Sequence, residues 1–192
     1  MKNNNLIDLL PIGLRKFSSS IARVRSFVSI HLYQWRYPSV SLSGCFLEEG
    51  VKVYCSNEST IQVHNSVLSR GVTISAKHGG RIRIDNCFIG SNSVIVACDK
   101  ITIGSDSQIA EMVVIRDHNH RYDDVTTPVA NQGFTTSPIE IGKSVWVGAK
   151  ATILAGSVIG DHSVVGAHGL VNSRLDSEAV YVGQPVKKVK DI

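Results

Sequence analysis

The sequence predicts an all-β solenoid with three flat faces, because its aliphatic residues are mostly β-branched and recur with a six-residue period. The chain of 192 residues contains 24 Val and 19 Ile against 11 Leu, and β-branched side chains fit pleated sheets better than helices. Hydrophobic residues make up 43% and charged residues 19% of the chain. That composition excludes an intrinsically disordered protein, and the length suits a single domain with its own core.

The six-residue period is clearest from residue 141 onward. An aliphatic residue opens each hexad, at Ile141, Val147, Ile153, Ile159, Val165 and Val171. A small residue usually follows, at Gly142, Gly148, Gly160 and Gly166. Neither a helix nor a long strand has this period. We therefore expect each hexad to be a short strand with its opener pointing inward, and three hexads to complete one coil. The small second residue is expected to let the chain turn the corner.

The same period recurs earlier, which sets the boundaries of the solenoid. One run has openers at Ile89, Ile95 and Ile101, and a second, displaced by two residues, has them at Ile103, Ile109 and Ile115. Between residues 40 and 88 the pattern is weaker but keeps a strand-like alternation. We predict a helical cap at 1–39, a β-helix at 40–178 with a loop at 116–138, and a basic tail at 179–192.

Charge, cysteine spacing and hydropathy exclude several classes of protein. The net charge is only +4, and the basic residues form no stripe with interleaved aromatics, so we expect no nucleic-acid partner. The four cysteines lack CxxC and zinc-finger spacing, which favours buried free thiols in a reducing cytoplasm. No apolar run is long enough to span a membrane, and the first residues do not resemble a signal peptide.

The loop RDHNHRYDDVTTPVANQGFTTSP interrupts the hexads and contains the candidate catalytic residues. A long irregular segment in a compact solenoid usually serves a function. His118 or His120 could take a proton from a hydroxyl near neutral pH, and Asp117 or Asp123 could orient the imidazole. Tyr122 and Phe134 are candidate anchors for the loop. Two histidines and a carboxylate at this spacing also leave a zinc site open as an alternative, with His64 or His78 as a further ligand.

Together, the hexads, the His-bearing loop and the ending YVGQPVKKVK resemble the hexapeptide-repeat acyltransferases. The resemblance is closest to the branch with maltose and galactoside acetyltransferases and polysaccharide O-acetyltransferases. It implies a left-handed parallel β-helix, a homotrimer and acetyl-coenzyme A as the acyl donor, with no metal. It also implies that His118 is the general base, with His120 as the competing candidate. The acceptor would attack the thioester directly in a ternary complex.

The resemblance also implies where the donor binds. Small residues would leave room for the pantetheine arm, and the matching positions are Ala110, Gly148, Ala149, Gly166 and Ala167. Lys187 and Lys190 match two basic positions near the nucleotide phosphates, although lysine loses the bidentate contact that arginine makes in many members. A further basic position of the family falls at Ser173, and Arg174 is its expected substitute. Trp146 should point outward, either beside His118 or onto a neighbouring subunit.

The N-terminal segment has a second pattern, with Ile21, Val24, Val28 and Leu32 at helical spacing. Several basic residues accompany it, namely Arg15, Lys16, Arg23 and Arg25. Two interpretations stay open. The helix caps the open end of the solenoid, as repeat folds require, or it lies on an anionic membrane.

We expect an acetyl-coenzyme A-dependent O-acetyltransferase that acts on a sugar or a surface polysaccharide such as capsule, lipopolysaccharide or exopolysaccharide. Its expected location is the cytoplasm, with a peripheral contact to the inner membrane as an option. Three alternatives stay open: a xenobiotic or amino-sugar acetyltransferase on the same scaffold, a metalloenzyme like the β-helical carbonic anhydrases, and a catalytically silent solenoid.

Overall fold

The structure, a computed structural model, describes residues 20–192. It is a left-handed parallel β-helix of triangular cross-section, as the six-residue period and the family resemblance predicted. Each coil gives one short strand to each of three parallel sheets, which we name A, B and C in the order in which the chain visits them. Sheet C has six strands, so the chain completes six coils before a partial seventh.

The strands of the three sheets are as follows. Sheet A contains β1 (Val40–Ser41), β4 (Thr60–His64), β7 (Arg81–Asp85), β10 (Lys100–Ile103), β15 (Ile139–Ile141), β18 (Val158–Ile159) and β21 (Arg174–Leu175). Sheet B contains β2 (Phe46–Leu47), β5 (Val67–Leu68), β8 (Phe88–Ile89), β11 (Gln108–Ile109), β16 (Trp146–Val147), β19 (Val164–Val165), β22 (Ala179–Gly183) and β23 (Val186–Asp191). Sheet C contains β3 (Lys52–Cys55), β6 (Thr73–Ala76), β9 (Val94–Ala97), β12 (Val114–Arg116), β17 (Thr152–Ile153) and β20 (Leu170–Val171).

The aliphatic openers of the hexads form the core of the solenoid. In sheet B, Ile109 pairs with Val147, and Val147 pairs with Val165. All three side chains are fully buried, so equivalent residues of successive coils stack into one column. Because each strand is short and every coil is covered by its neighbours, stacking supplies the hydrophobic burial that a single coil lacks.

The second and fourth positions of each hexad have different roles at the corners, and the small second residue does not make the turn as expected. A Cβ atom added at Gly148, the second residue of its hexad, would lie 2.5 Å from the backbone nitrogen of Ala167. The second position is therefore small because successive coils approach closely there. The left-handed turn is made at the fourth position, where Lys150, His162 and His168 have φ values of 59°, 57° and 58°.

The loop leaves the solenoid after β12, where sheet C passes to sheet A. It is more ordered than expected, because it contains an antiparallel hairpin of β13 (His118–His120) and β14 (Phe134–Thr136). A short 3-10 turn at Val129–Asn131 lies between the two strands. The hairpin thus holds the candidate catalytic residues at one corner of the solenoid.

Helix α1 (Ser20–Arg36) covers the open end of the first coil. The hydroxyl of Ser26 accepts a hydrogen bond from the backbone N–H of Leu47 at 2.9 Å, and the Tyr33 hydroxyl donates to the carbonyl of Val51 at 2.8 Å. The apolar stripe of Ile21, Val24, Val28 and Leu32 lies on the opposite face and is exposed. The helix therefore caps the solenoid with its more polar side. Arg15 and Lys16 lie outside the described residues.

The last residues of the chain form a hairpin in which β23 runs antiparallel to β22. Its turn contains a cis Gln184–Pro185 peptide bond, and the side-chain amide of Gln184 donates to the carbonyl of His168 at 2.7 Å. The segment predicted as a basic tail is thus joined to sheet B.

All four cysteines are free, and Cys55, Cys87 and Cys98 are buried. Burial raises the pKa of the Cys45 and Cys87 thiols to about 11. In the described part of the chain, no helix has the length and apolar character needed to cross a membrane.

Candidate active site

His118 begins the loop hairpin at the point where sheet C would otherwise pass directly into sheet A. The turns that join sheet C to sheet A lie one above the other in a column, which we call the imidazole corner. It contains Cys98, Asp99, Asp117 and His118 of two successive coils. The His118 side chain is 13% exposed, so it is largely shielded and still reachable from solvent. A partly enclosed imidazole of this kind suits proton transfer to a bound substrate.

Asp117 holds this imidazole in place. The Asp117 side chain is fully buried, and its two oxygens accept hydrogen bonds from the backbone N–H groups of Cys98 and Asp99, each at 2.8 Å. Its Oδ1 lies 3.2 Å from Nδ1 of His118. A carboxylate beside Nδ1 favours the proton on that nitrogen and leaves Nε2 free to accept one. Asp117 therefore anchors the loop to the preceding coil and orients the candidate base.

Phe134, on the opposite strand of the hairpin, packs against the same imidazole. The ring centroids of Phe134 and His118 are 5.9 Å apart in an edge-on arrangement, and those of Phe134 and His78 are 5.0 Å apart. Phe134 therefore anchors the hairpin to the solenoid, as predicted for one of the two aromatic candidates. Tyr122 is 79% exposed and makes no comparable packing contact.

The other candidate residues of the loop, Asp123 and His120, have different surroundings. Asp123 pairs with Arg121, with its Oδ2 3.1 Å from an Arg121 nitrogen, and this hydrogen-bonded guanidinium lowers the pKa of the Asp123 carboxyl. His120 is exposed on β13. Of the two carboxylates considered for orienting the imidazole, Asp117 occupies that position and Asp123 does not.

Cys98, Asp117 and His118 form a group whose potential ligand atoms lie within 4.8 Å of one another. This is the one such group of three that residues 20–192 provide, and it includes neither His64 nor His78. Burial, followed by the nearby Asp117 charge, raises the pKa of the Cys98 thiol, whereas a metal ligand or a nucleophile must be a thiolate. Both Asp117 oxygens also accept backbone hydrogen bonds. The group is therefore better suited to orienting His118 than to binding a metal or forming an acyl-cysteine.

The predicted donor-binding alanines lie together at a different corner. Ala110, Ala149 and Ala167 each follow a strand of sheet B and precede a strand of sheet C. We call this column the small-residue corner. The backbone N–H of Ala110 donates to the carbonyl of Val147 at 2.9 Å, and that of Gly148 donates to the carbonyl of Val165 at 2.8 Å. Ala149 is aligned with Ala167, and Ala110 is aligned with Gly148 and Gly166, so the donor channel that the resemblance implies would run along small side chains.

The remaining predicted donor-binding residues divide between two places. The C-terminal hairpin with Lys187 and Lys190 adjoins the small-residue corner, because Gly166 donates to the carbonyl of Tyr181 and Gln184 donates to that of His168. Both lysines are exposed and available to an anion. Arg174, by contrast, begins a strand of sheet A and does not lie with the alanines.

Trp146 lies on the outer surface of sheet B, paired with Gln108 and Val164, and is 57% exposed. Sheet B is the face that does not meet the imidazole corner. Within one chain Trp146 therefore lies on a different face from His118, because alternation along β16 turns Val147 inward and Trp146 outward. Its contact with a neighbouring subunit stays a prediction.

A single chain does not bring the two halves of the predicted site together. The imidazole corner joins sheet C to sheet A, the small-residue corner joins sheet B to sheet C, and the width of sheet C separates them.

Two contacts of the site could not be predicted from the sequence. Cys98 donates its backbone N–H to Asp117, and His78 packs on Phe134 in a left-handed turn with φ of 55°. The turn of His78 lies where the hexads are weak, whereas Cys98 lies in a clear run but takes part through its backbone N–H, which every residue type except proline carries. The pairing of β6 with β9 and of β9 with β12 aligns these turns below Asp117, and only the register shows this.

Comparison with known proteins identifies relatives with the same repeats. A family model described as "Bacterial transferase hexapeptide (six repeats)" matches residues 138–173, and one described as "Hexapeptide repeat of succinyl-transferase" matches residues 85–115. The "Putative lipopolysaccharide biosynthesis O-acetyl transferase WbbJ" of Escherichia coli is 33% identical over 147 residues, which is 71% of this chain and 74% of that protein.

Two further relatives are longer than the region they share with this chain. The "Probable acetyltransferase Rv3034c" of Mycobacterium tuberculosis is 34% identical over 76% of this chain, and the match spans 49% of that protein. The "Galactoside O-acetyltransferase" of Escherichia coli is 32% identical over 60% of this chain, and the match spans 56% of its own length. The chain thus spans about half the length of these two relatives.

Solved structures share the fold at lower identity. AntD, an N-acyltransferase from Bacillus cereus in complex with dTDP and 3-hydroxybutyryl-CoA, superposes with a TM-score of 0.68 at 20% identity, over 84% of this chain and 86% of AntD. A hexapeptide-repeat-containing acetyltransferase from Vibrio cholerae, complexed with acetyl-coenzyme A, superposes with a TM-score of 0.57 at 20% identity, over 90% and 79% of the two chains. At this identity the likeness extends to the fold alone.

Proposed function

We propose that this chain, which belongs to the hexapeptide-repeat acyltransferase family, transfers an acetyl group from acetyl-coenzyme A to a hydroxyl of a sugar or surface polysaccharide. The observation that carries the proposal is the partly shielded His118 imidazole, held by a buried carboxylate at Nδ1. Relatives named as O-acetyl transferases support a hydroxyl acceptor. A hydroxyl also needs a base before it can attack a thioester, and the site provides one.

In the proposed reaction, His118 Nε2 takes the proton of the acceptor hydroxyl as the oxygen attacks the thioester carbonyl. The new C–O bond gives a tetrahedral oxyanion, which a backbone N–H would stabilise. The C–S bond then breaks, and the imidazolium returns its proton to the departing thiolate. Asp117 stabilises the imidazolium formed in between. Cys98 takes no part as a nucleophile, because its raised pKa keeps the thiol protonated.

The proposed enzyme is a homotrimer, because the site is incomplete in one chain. His118 and the small-residue corner belong to different corners of the same solenoid. Cyclic symmetry would pair the imidazole corner of each chain with the small-residue corner of the next and generate equivalent sites. The pantetheine arm would then run along Ala149 and Ala167, with Lys187 and Lys190 near the nucleotide phosphates.

We also propose that helix α1 rests on an anionic membrane surface, with the enzyme otherwise in the cytoplasm. Its outward face is apolar, since Ile21 is 79% and Trp35 81% exposed. The helix contains three arginines and no acidic residue. An apolar face with flanking cations matches the acyl boundary and the anionic headgroups of a bilayer. This arrangement would place the active site near a membrane-associated glycan.

The test of the proposed activity is acetyl transfer to a panel of sugars that carry free hydroxyls, with matched amino sugars beside them. We expect transfer to a hydroxyl, and we expect His118→Ala to lower kcat/KM by about 10²- to 10⁴-fold. His120→Ala is the matched control and should stay within about threefold of the wild type, because this exposed side chain faces solvent.

Two results would contradict the proposal. One is a full rate in His118→Ala, which would remove the base from the mechanism. The other is transfer to amines alone, which would reassign the enzyme as an N-acyltransferase because an amine attacks a thioester with less help from a base.

A further inference from the structure

A cleft with a volume of about 590 Å³ lies at the imidazole corner, on the N-terminal side of His118. Its walls include two aromatic and four polar side chains, namely Tyr37, Tyr54, Asn57, Glu58, Lys77 and His78. The cleft is open, because its polar lining residues are exposed, and it could therefore hold one face of a ligand. The reaction described above leaves this cleft without a role.

The cleft is continuous with the imidazole corner. Each turn that lines it hydrogen-bonds to the next turn along the solenoid, because Ser56 donates its N–H to the carbonyl of Ala76, and Lys77 donates to that of Ala97. The following turn, at Cys98 and Asp99, donates to Asp117. The wall of the cleft and the carboxylate that holds His118 thus belong to one stack of turns.

Phe134 joins the cleft to the candidate base. Its ring lies 5.0 Å from the ring of His78, which lines the cleft, and 5.9 Å from the ring of His118. A ligand held against His78 would therefore lie one aromatic ring away from His118. A ligand at His78 alone would not touch Nε2 of His118, so the acceptor must be a glycan long enough to extend past Phe134.

The lining suits a saccharide. Tyr54 is 48% exposed, so its ring has a free surface on which the C–H face of a pyranose can pack. Around it, Asn57, Glu58 and Lys77 provide both hydrogen-bond donors and acceptors, and sugar hydroxyls need both. An entirely apolar ligand would leave these polar groups without partners.

The charges of the lining favour an uncharged sugar. The two charged side chains at the cleft, Glu58 and Lys77, have opposite signs. A nucleotide diphosphate carries several negative charges, and Lys77 alone would neutralise little of that charge next to a carboxylate. A neutral pyranose carries no such penalty.

From these observations we infer that the cleft is the acceptor subsite and binds an uncharged pyranose unit of a glycan, in preference to a nucleotide diphosphate sugar. The inference rests on the proposed acetyltransferase function and specifies its acceptor class. Tyr54 would be the stacking platform, and Glu58 would disfavour anionic acceptors.

Direct binding tests the site independently of catalysis. Full-length protein would be titrated calorimetrically with neutral oligosaccharides of glucose, galactose, N-acetylglucosamine and rhamnose, and with UDP-galactose. We expect at least one neutral oligosaccharide to bind more tightly than UDP-galactose. Tyr54→Ala should weaken that binding about tenfold through loss of the stacking surface. Phe27→Ala is the control, since Phe27 is 62% exposed on α1, away from the cleft, and it should bind as the wild type does.

Kinetics then test whether the bound sugar is the acceptor. Tyr54→Ala should raise the KM of the neutral acceptor about tenfold and leave the KM of acetyl-coenzyme A unchanged. Glu58→Gln should improve the use of UDP-galactose relative to the neutral sugar by a few-fold, because it removes the repelling charge.

Each outcome has a distinct meaning. Tighter binding of UDP-galactose than of any neutral sugar, or wild-type binding and KM values in Tyr54→Ala, would overturn the inference while the transferase activity stands. Tyr54-dependent binding without acetyl transfer to any panel member would overturn the proposed activity while the saccharide site stands.

Discussion

Two corners of the solenoid place opposite demands on the sequence. The small-residue corner is regular, with Ala149 aligned with Ala167 beside backbone that hydrogen-bonds from coil to coil. The imidazole corner is irregular, because the chain leaves the solenoid there and Asp117 must satisfy two backbone N–H groups and an imidazole at once. The regular corner offers an empty channel for an extended ligand, whereas the irregular corner offers fixed polar groups for chemistry.

After the loss of His118 itself, the largest effect is expected from breaking the polar network of the irregular corner. In Asp117→Asn, an amide N–H₂ would replace an oxygen that accepts a hydrogen bond from Cys98 or Asp99. Loss of a charge-assisted hydrogen bond to His118 costs about 1.5–3 kcal/mol, so kcat should fall about 10- to 100-fold. Because Asp117 positions the base and does not touch the donor, the KM of acetyl-coenzyme A should not change.

Steady-state kinetics with both substrates measure this split, and a thermal melt reports any loss of folding. An unchanged kcat, or a fall in kcat that follows only the loss of folded protein, would contradict the positioning role.

An intermediate effect is expected from filling the channel of the regular corner. Ala149→Leu places a branched side chain where the pantetheine arm would run, and a clash of this kind costs about 1–3 kcal/mol. The KM of acetyl-coenzyme A should therefore rise roughly 10- to 100-fold, while the KM of the sugar acceptor stays the same. Ala149→Ser adds one atom and is the matched control. If calorimetry showed equal acetyl-coenzyme A binding in both variants, the donor would not bind at this corner.

The smallest effect is expected far from both corners, on the outward face of α1. Replacing Phe27 and Trp35 with serine removes apolar contact area from a face that makes no contact with the solenoid core. Binding to vesicles of anionic lipid should weaken about tenfold, in line with the area lost, with little change in activity on a soluble acceptor. Vesicle flotation gives the measurement. Wild-type binding to neutral and anionic vesicles alike, or undiminished binding of the double variant, would contradict the membrane proposal.

The contrast between the corners also explains how far the sequence could predict the molecule. The hexad openers Val147 and Val165 repeat because each coil must bury the same position, so the solenoid followed from the period, and its left hand followed from the family resemblance. The small residues could be predicted for the same reason. The left-handed turn at Lys150 could not, because a lysine side chain does not indicate a positive φ.

The irregular corner was less predictable because its contacts join residues far apart in sequence. His118 and Asp117 were identifiable from their residue types and the interruption of the hexads. The contact of His78 with Phe134 and the hydrogen bond from Cys98 to Asp117 depend on how coils align in weakly patterned regions. For α1 the sequence left two interpretations open, because an apolar stripe does not reveal whether it faces protein or another phase.

The central claim is that one site is built from the imidazole corner of one chain and the small-residue corner of another, and complementation between two inactive variants tests it most directly. His118→Ala and Ala149→Leu would be purified separately, mixed in equal amounts, unfolded and refolded together. Random assembly of a cyclic trimer pairs an intact imidazole with an intact channel at about a quarter of the sites. The account predicts recovery of about a quarter of wild-type activity in the mixture, and activity no greater than the sum of the two separate variants would contradict it.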